Sequence, residues 1–297
     1  MRVLVSGSSG LVGRALVKAL RVGGHEVVPI VRHSPSKGEG YLDLTTRAVD
    51  LGGVGRVDAV VHLAGEPLLG RWSSQKKELI RESRVVGTKL LAEAITELDP
   101  LPSVMVSASA IGYYGDRGDE ELTEDSAPGH GFLAEVCVEW EHAATPASEA
   151  GVRVVNLRTG IVLAKDGGSL QLQLPLFRMG LGTRLGKGDQ QMSWISLEDE
   201  VGAIIWALSH DGIVGPLNAT APHPVSNATF TEVLAKVLHR PVFFSVPKPF
   251  LQLVAGKEAT EEMLLASQRV LPTKLLSTGY HFKSTEIEDG LRTILIG

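Results

Sequence analysis

Arg2-Val3-Leu4-Val5-Ser6-Gly7-Ser8-Ser9-Gly10-Leu11-Val12-Gly13 opens the chain and decides its fold. Its aliphatic first half reads as a buried strand, Arg2 to Ser6. Beyond it, Leu11, Ala15, Leu16 and Leu20 fall near helical spacing, so Leu11 to Arg21 reads as a helix, and Gly23-Gly24 ends it. Between strand and helix lies Gly7-x-x-Gly10-x-x-Gly13. Glycine serves a tight turn, and backbone without a Cβ lets a pyrophosphate come close. The helix start behind it offers free N–H groups and the positive end of a dipole. Gly7, Ser8, Ser9, Gly10, Leu11, Val12 and Gly13 are therefore expected to cradle a nucleotide phosphate. The competing reading is a tight turn without a ligand. Gly and Ser also interrupt the apolar run before it reaches the length of a secretion signal, so cytoplasmic residence is the default expectation.

The same rhythm continues. Strands are expected at Glu26 to Arg32, Val57 to Leu63, Ser103 to Ser107 and Val152 to Leu157, with helices at Ser74 to Leu98 and Phe132 to Ala150. This alternation implies an α/β fold, a parallel sheet with helices on both faces. After about Gly167 the pattern loosens into helices at Leu170 to Met179, Glu198 to Ser209, Thr229 to Leu238, Phe250 to Ala255 and Thr260 to Val270, with short strands at Leu217 to Thr220 and Val242 to Val246. We expect a nucleotide-binding domain over residues 1–167 and a smaller α/β lobe over 168–297, with 193–220 returning to the first.

Composition closes off other classes. The chain has 297 residues, net charge −5 and no basic tract, which argues against nucleic acid as a partner. No apolar run nears the ~18 residues of a membrane span. One cysteine, Cys137, and nine histidines without metal-ligand spacing give no expected metal site. No Gly-x-Ser-x-Gly elbow is present. Gly at 33 of 297 exceeds the usual ~7%, and no repeat explains the excess. The expected partner is a small molecule, and the oligomeric state is left open.

The second strand ends Val31-Arg32-His33. An acid there binds the ribose hydroxyls of NAD. Here Arg32 offers a charged fork to a 2′-phosphate, with His33 and Lys37 nearby, so NADP(H) is expected. A solvated basic strand end is the plainer alternative. Asp43 either meets the adenine or is an ordinary loop acid.

These motifs, with His62-Leu63-Ala64-Gly65 and Ser107-Ala108-Ser109 followed by Tyr113-Tyr114-Gly115, resemble the extended short-chain dehydrogenase/reductase family. The chain is similar in particular to its NAD-dependent epimerase/dehydratase-like subgroup of uncertain activity. The marks are Glu66, Arg71-Trp72, Ser83-Arg84, Phe132-Leu133-Ala134 with Trp140-Glu141, Arg158 to Leu163, Gly186-x-Gly188, Ser193-Trp194-Ile195 and Ser267 to Pro272. The resemblance spans nearly the whole chain. It implies a Rossmann domain with a small substrate lobe. It also implies a cofactor site that includes Leu63, Ala64, Gly65, Arg84, Ser107 and, beneath the nicotinamide, Thr159, Gly160, Ile161 and Val162. Arg84 is either a cofactor ligand or a helix-surface ion-pair partner. The Gly182 to Gly188 loop, with Arg178 and Arg184, is either an anion site or a plain connection.

One departure matters most. The family's Tyr-x-x-x-Lys pair is absent from the entire chain. In the matching segment Phe132 stands for the Tyr and Val136 for the Lys, and neither transfers a proton. Ser109 matches the family's catalytic Ser/Thr. Tyr113, Tyr114 and Glu66 are the candidates to replace the proton donor, against readings as packing aromatics and a paired rim carboxylate. The expectation is an NADP(H)-dependent oxidoreductase acting on a small carbonyl or hydroxyl compound. The rivals are a non-catalytic NADP(H) sensor and a nucleotide-sugar epimerase.

Overall fold

Arg2–Ser6 forms β1, with Val3, Leu4 and Val5 fully buried. A computed structural model describes all 297 residues. Glu26–Val31 (β2), Gly40–Asp43 (β3), Ala48–Asp50 (β4), Ala59–His62 (β5), Val104–Ala110 (β6), Arg153–Thr159 (β7) and Gly215–Ala219 (β8) join β1 in one sheet. The order is β8-β7-β6-β5-β1-β2-β3-β4, parallel except for the β3–β4 hairpin. Strands this apolar need cover on both faces. Leu11–Val22 (α1) and Leu197–Ser209 (α6) cover one face, against Val5, Val61, Val106 and Val155. Ser74–Ile95 (α2) and the short Thr145–Glu149 (α4) cover the other, against Leu4, Val60, Met105 and Val154. Phe132–His142 (α3) packs on α2 through Ile80, Phe132 and Val136. The chain reverses its direction across the sheet between β1 and β5, which opens a crevice at their carboxyl ends.

The lobe has its own core, built from Leu170, Leu174 and Phe177 of helix Gly168–Arg178 (α5), Trp194, Phe230, Leu234, Ile287 and Leu291. The C-terminal segment also reaches back into the sheet domain. Leu275 joins the α1/α6 core, and Arg269–Val270 pairs in parallel with Glu121–Leu122.

Several elements differ from the sequence expectation. The helix expected over Phe132 to Ala150 breaks after His142. Pro146, which has no N–H to donate, sits in the first turn of a new helix instead. Thr260 to Val270 is not one helix. A π-helical turn, Thr260–Leu264, gives way to the strand that pairs with Glu121–Leu122, and the side chain of Gln268 donates to the carbonyls of Ile111 and Gly115, both at 3.0 Å. The β3–β4 hairpin was not expected. Its turn is held by Asp43, which accepts from the Thr45 N–H and the Thr46 hydroxyl, both at 2.9 Å. The Thr45 bond, with that of Thr46, holds the Asp43 carboxyl below its usual range. This gives Asp43 a structural task, the plainer of its two readings.

Candidate functional site

The glycine turn between β1 and α1 is built by close approach. Gly7 has φ +69°, and a Cβ on it would lie 2.7 Å from the Leu63 carbonyl carbon. A Cβ on Gly13 would collide with the carbonyl oxygen of Gly7, so only glycine lets the first turn of α1 rest on the loop. Gly10 caps α1 without a side-chain bond, and the first turn contains no acid. Its N–H groups therefore remain available to an anion. The Arg14 guanidinium donates to the carbonyl of Ser9 at 2.6 Å and stiffens the turn. Leu11 packs on Gly167 and Val12 on the core, so both turn their side chains inward. At the end of β2, next to the β3 pairing of Val31 with Tyr41, Arg32 makes no ion pair or hydrogen bond and His33 is exposed.

Beneath the crevice, Ser6, His62 and Ser107 lie side by side on β1, β5 and β6. The Ser6 hydroxyl accepts from Leu63 N–H at 3.2 Å and Ala64 N–H at 3.4 Å and meets His62 Nδ1 at 2.5 Å. Burial pulls His62 down to about 4, so the ring is neutral. His62 Nε2 and Ser107 Oγ are buried with no partner. Above them, a Cβ on Gly65 would lie 3.5 Å from the Arg84 guanidinium carbon. Arg84 donates to the carbonyls of Glu66 and Ile80 and lies 5.0 Å from the Trp140 ring. Burial lowers its pKa, against the pull of Cys137 and Glu66. Arg84 is thus not on the helix surface. It faces the Gly65 backbone at the crevice.

Phe132 is turned to α2, edge-on to Trp72 and 4.5 Å from Lys77 Nζ. The α3 positions that meet the end of β6 are one residue further on. A Cβ on Gly112 would lie 3.4 Å from Leu133 Cβ and 3.8 Å from Cys137 Sγ. Leu133 and Cys137, not Phe132 and Val136, are the i, i+4 pair facing the strand end. Burial, with the charge of Glu141, pushes the Cys137 thiol up to about 12, although Arg84 and the Ala110 backbone oppose the shift.

Ser109, 3% exposed, donates its proton to Glu141 Oε1 at 2.7 Å. Glu141 also accepts from Arg158 Nε at 2.7 Å and Nη2 at 2.8 Å. Arg158 is 2% exposed. Burial works against its charge, yet the Glu141 bonds hold its pKa above the ordinary value. Tyr114, another candidate donor, lies in the interior. It is fully buried, and its hydroxyl donates toward Asn218 Oδ1 at 2.7 Å and accepts from Arg158 Nη1 at 3.0 Å. Burial raises it to about 12. Tyr113 lies with its ring 3.5 Å from the Arg158 guanidinium carbon. It also lines a groove of about 700 Å³ over β7 with Glu141, His142 and Asn156. Glu66 follows Gly65 at the crevice and is ion-paired with Lys76 Nζ at 2.6 Å, with side chains 34% and 20% exposed.

Thr159 ends β7 and donates to Glu200 Oε1 at 2.8 Å, whereas Glu200 Oε2 is buried with no partner. Ile161 and Val162 follow, paired with Trp194 and Ile195. In the lobe, Arg184 Nε is buried and unpartnered, and the Arg178 carbonyl accepts from Arg240. The sequence reading gave no role to Glu141, Arg158 or Glu200. Glu141 and Arg158 stood in quoted motifs, but nothing local links two residues 17 apart on a helix and a strand.

The NAD dependent epimerase/dehydratase family model matches residues 3–218, and a domain of unknown function (DUF1731) matches residues 246–294. The chain is 42% identical over 291 residues to an epimerase family protein of Mycobacterium bovis, covering 97% of this chain and 96% of that one. It superposes on the crystal structure of human epimerase family protein SDR39U1 with NADPH at a TM-score of 0.92, with 33% identity over all of both chains. A nucleoside-diphosphate sugar epimerase from Corynebacterium glutamicum matches at 0.82 with 42% identity, over 99% of this chain and 58% of that one.

Proposed function

Because the chain belongs to the NAD dependent epimerase/dehydratase family, we propose that it is an NADP(H)-dependent oxidoreductase acting on a small carbonyl or hydroxyl compound in the crevice above β1 and β5. The observation that carries the reading is the uncapped, acid-free start of α1 seated on a turn that admits no Cβ at Gly7 or Gly13. That cradle suits a pyrophosphate. Arg32, unpaired at the end of β2, and His33 suit a 2′-phosphate. The human relative, crystallised with NADPH, supports the same cofactor. Arg84 beside Gly65, with Leu63 and Ala64, would hold the ribose and phosphates, and Thr159 to Val162 would lie against the nicotinamide.

When bound, the nicotinamide donates or accepts hydride. The chain's own part is to bind, orient and exclude water. Titrating intrinsic fluorescence tests the reading, with tighter binding of NADPH than of NADH expected. Charge-assisted bonds are worth about 1.5–3 kcal/mol, so Arg32→Ala should weaken NADPH by about 10- to 100-fold and leave NADH nearly unchanged. Tighter binding of NADH by the parent chain would refute the preference.

A second reading, a non-catalytic NADP(H) sensor, is favoured by Leu133 and Cys137 at the positions facing the end of β6. The same placement counts against a nucleotide-sugar epimerase, which needs a side chain that both removes and returns a proton.

A further inference from the structure

Glu200 is a carboxyl at a core position. With Ala203, Ile204 and Ala207 it makes up the buried stripe of α6, where Glu200 is 1% exposed and the other three are 0%. Oε1 accepts from the Thr159 hydroxyl at 2.8 Å, and Oε2 is buried with no partner. Thr159 is half-buried and ends β7, at the same edge of the parallel sheet as the crevice. A fold that needed only an acceptor for Thr159 would be served by an amide. The carboxyl adds a proton that can leave, and burial keeps that proton on at neutral pH.

The titratable groups on the elements around Glu200 are exposed or engaged elsewhere. Arg14, Lys18 and Arg21 of α1 are exposed, as is Glu198 of α6 itself. On β7, Arg153 donates to the Ala207 carbonyl at the far end of α6, and Arg158 is paired with Glu141. The Asp199 carboxylate accepts from the Ser196 hydroxyl and from the N–H groups of Lys283 and Ser284. Tyr280, from the C-terminal segment, donates to the Asp199 carbonyl at 3.1 Å. The other strands packed on α6, which are β6, Ile161–Leu163 and Trp194–Ser196, carry no titratable side chain. Glu200 makes no ion pair, so its charge state answers to burial and to any charge that enters the crevice beyond Thr159.

We propose that Glu200 distinguishes oxidised from reduced nicotinamide by charge: it keeps its proton while the crevice is empty or holds the neutral reduced ring, and releases it when the crevice holds the cationic oxidised ring. This rests on the NADP(H) reading above, which sets Thr159 to Val162 against that ring. In the release, the carboxyl O–H bond breaks, its electron pair stays on the carboxylate and the proton passes to the buffer. The Thr159 hydroxyl, already donating to Oε1, holds the carboxylate that remains. An opposite charge within about 4–6 Å lowers a carboxyl pKa by about 1–3, enough to move Glu200 from mostly protonated to mostly ionised near pH 7.5. The role is that of a positioning residue, since Thr159 stands between Glu200 and the crevice.

The test is calorimetric titration of the full chain with NADP⁺ and with NADPH, at about pH 7.5, in two buffers of different ionisation enthalpy. NADP⁺ is expected to release about half a proton more per site than NADPH. Between about pH 6.5 and 9, affinity for NADP⁺ relative to NADPH is expected to rise about 10-fold. The 2′-phosphate and the groups around it are common to both nucleotides, so their titration cancels in that ratio. Glu200→Gln should abolish both the extra proton and the rise. Difference infrared spectra of the parent chain should lose a protonated-carboxyl band with NADP⁺ and keep it with NADPH, which reads the same event without a variant. If neither nucleotide binds, the NADP(H) reading fails and this proposal with it. If both bind with equal proton release and a ratio flat in pH, only the proposal is overturned. A rise that persists in Glu200→Gln also overturns it, because another group would then carry the proton.

Discussion

Glu200 is the residue whose environment most opposes its usual state. It is 1% exposed in α6, bonded only through Oε1 to Thr159. Burial pushes it up to about 8 against the Thr159 bond, so at neutral pH it holds a proton that the unfolded chain would release. Folding therefore binds a proton here, and stability falls as pH rises from the ordinary carboxylate range to about 8. Glu200→Gln keeps an acceptor for Thr159 and removes the ionisation. The variant should gain melting temperature over the parent, more at pH 8 than at pH 5, in paired thermal scans. An equal gain at both would show that the carboxyl is not the cause. His62 is the mirror case, a neutral ring held at about 4, and it adds acid lability as pH falls below its ordinary value toward 4. Neither shift is legible in the sequence. Both follow from burial, and Glu200 stands in a run, Glu198-Asp199-Glu200, whose local pattern suits any solvated first turn of a helix.

At the level of elements, α3 departs furthest from its sequence reading. Gly131 caps it without a side-chain bond, and the N–H of Leu133 instead donates to Glu262 Oε2 at 2.8 Å, from the π-helical turn 129 residues later. A carboxylate at a helix start satisfies an orphan donor and meets the positive end of the dipole. Glu262→Ala should cost about 0.5–2 kcal/mol in urea unfolding. A loss well below that would mean the cap is replaced by water. The helix was legible from its apolar spacing, but its facing was not. Assigning Phe132 and Val136 to the cofactor side placed the i, i+4 pair one residue early, and one residue turns a helix by about 100°. The contacts that settle it, Phe132 with Trp72 and Cys137 with Gly112, join residues far apart in the chain.

Across the whole molecule, the C-terminal segment packs into the sheet domain as well as into the lobe. Val270 N–H donates to Ser193 Oγ at 2.8 Å, and Ser193 donates to the Gln268 carbonyl at 2.7 Å. Leu275 fills the sheet core, and Ile287 and Leu291 fill the lobe core. A chain ended after Pro247 would leave two cores open and should show no cooperative thermal transition by circular dichroism, while the full chain melts in one step. A truncated chain with a sharp transition would show that the segment is an appendage.

The strand–helix alternation of the first half determined the parallel α/β architecture, and the first thirteen residues the glycine turn, because both rest on local physics. Alternating aliphatic strands and amphipathic helices specify a covered parallel sheet, and a turn that admits no Cβ specifies itself by glycine spacing. The absent Tyr-x-x-x-Lys pair was equally legible, since it is a statement about residue types. What stands in that space was decided by tertiary structure alone. Ser109, Glu141, Arg158 and Tyr114 come from a strand, a helix, a second strand and a 3-10 turn, and only packing brings their polar atoms within hydrogen-bond reach. Once buried together they had to satisfy one another, because an unpaired charge or hydroxyl in that interior costs more than a bond to a neighbour returns. That mutual satisfaction ties Ser109 and Tyr114 to Glu141, Arg158 and Asn218, a set of bonds that no local pattern in the sequence shows.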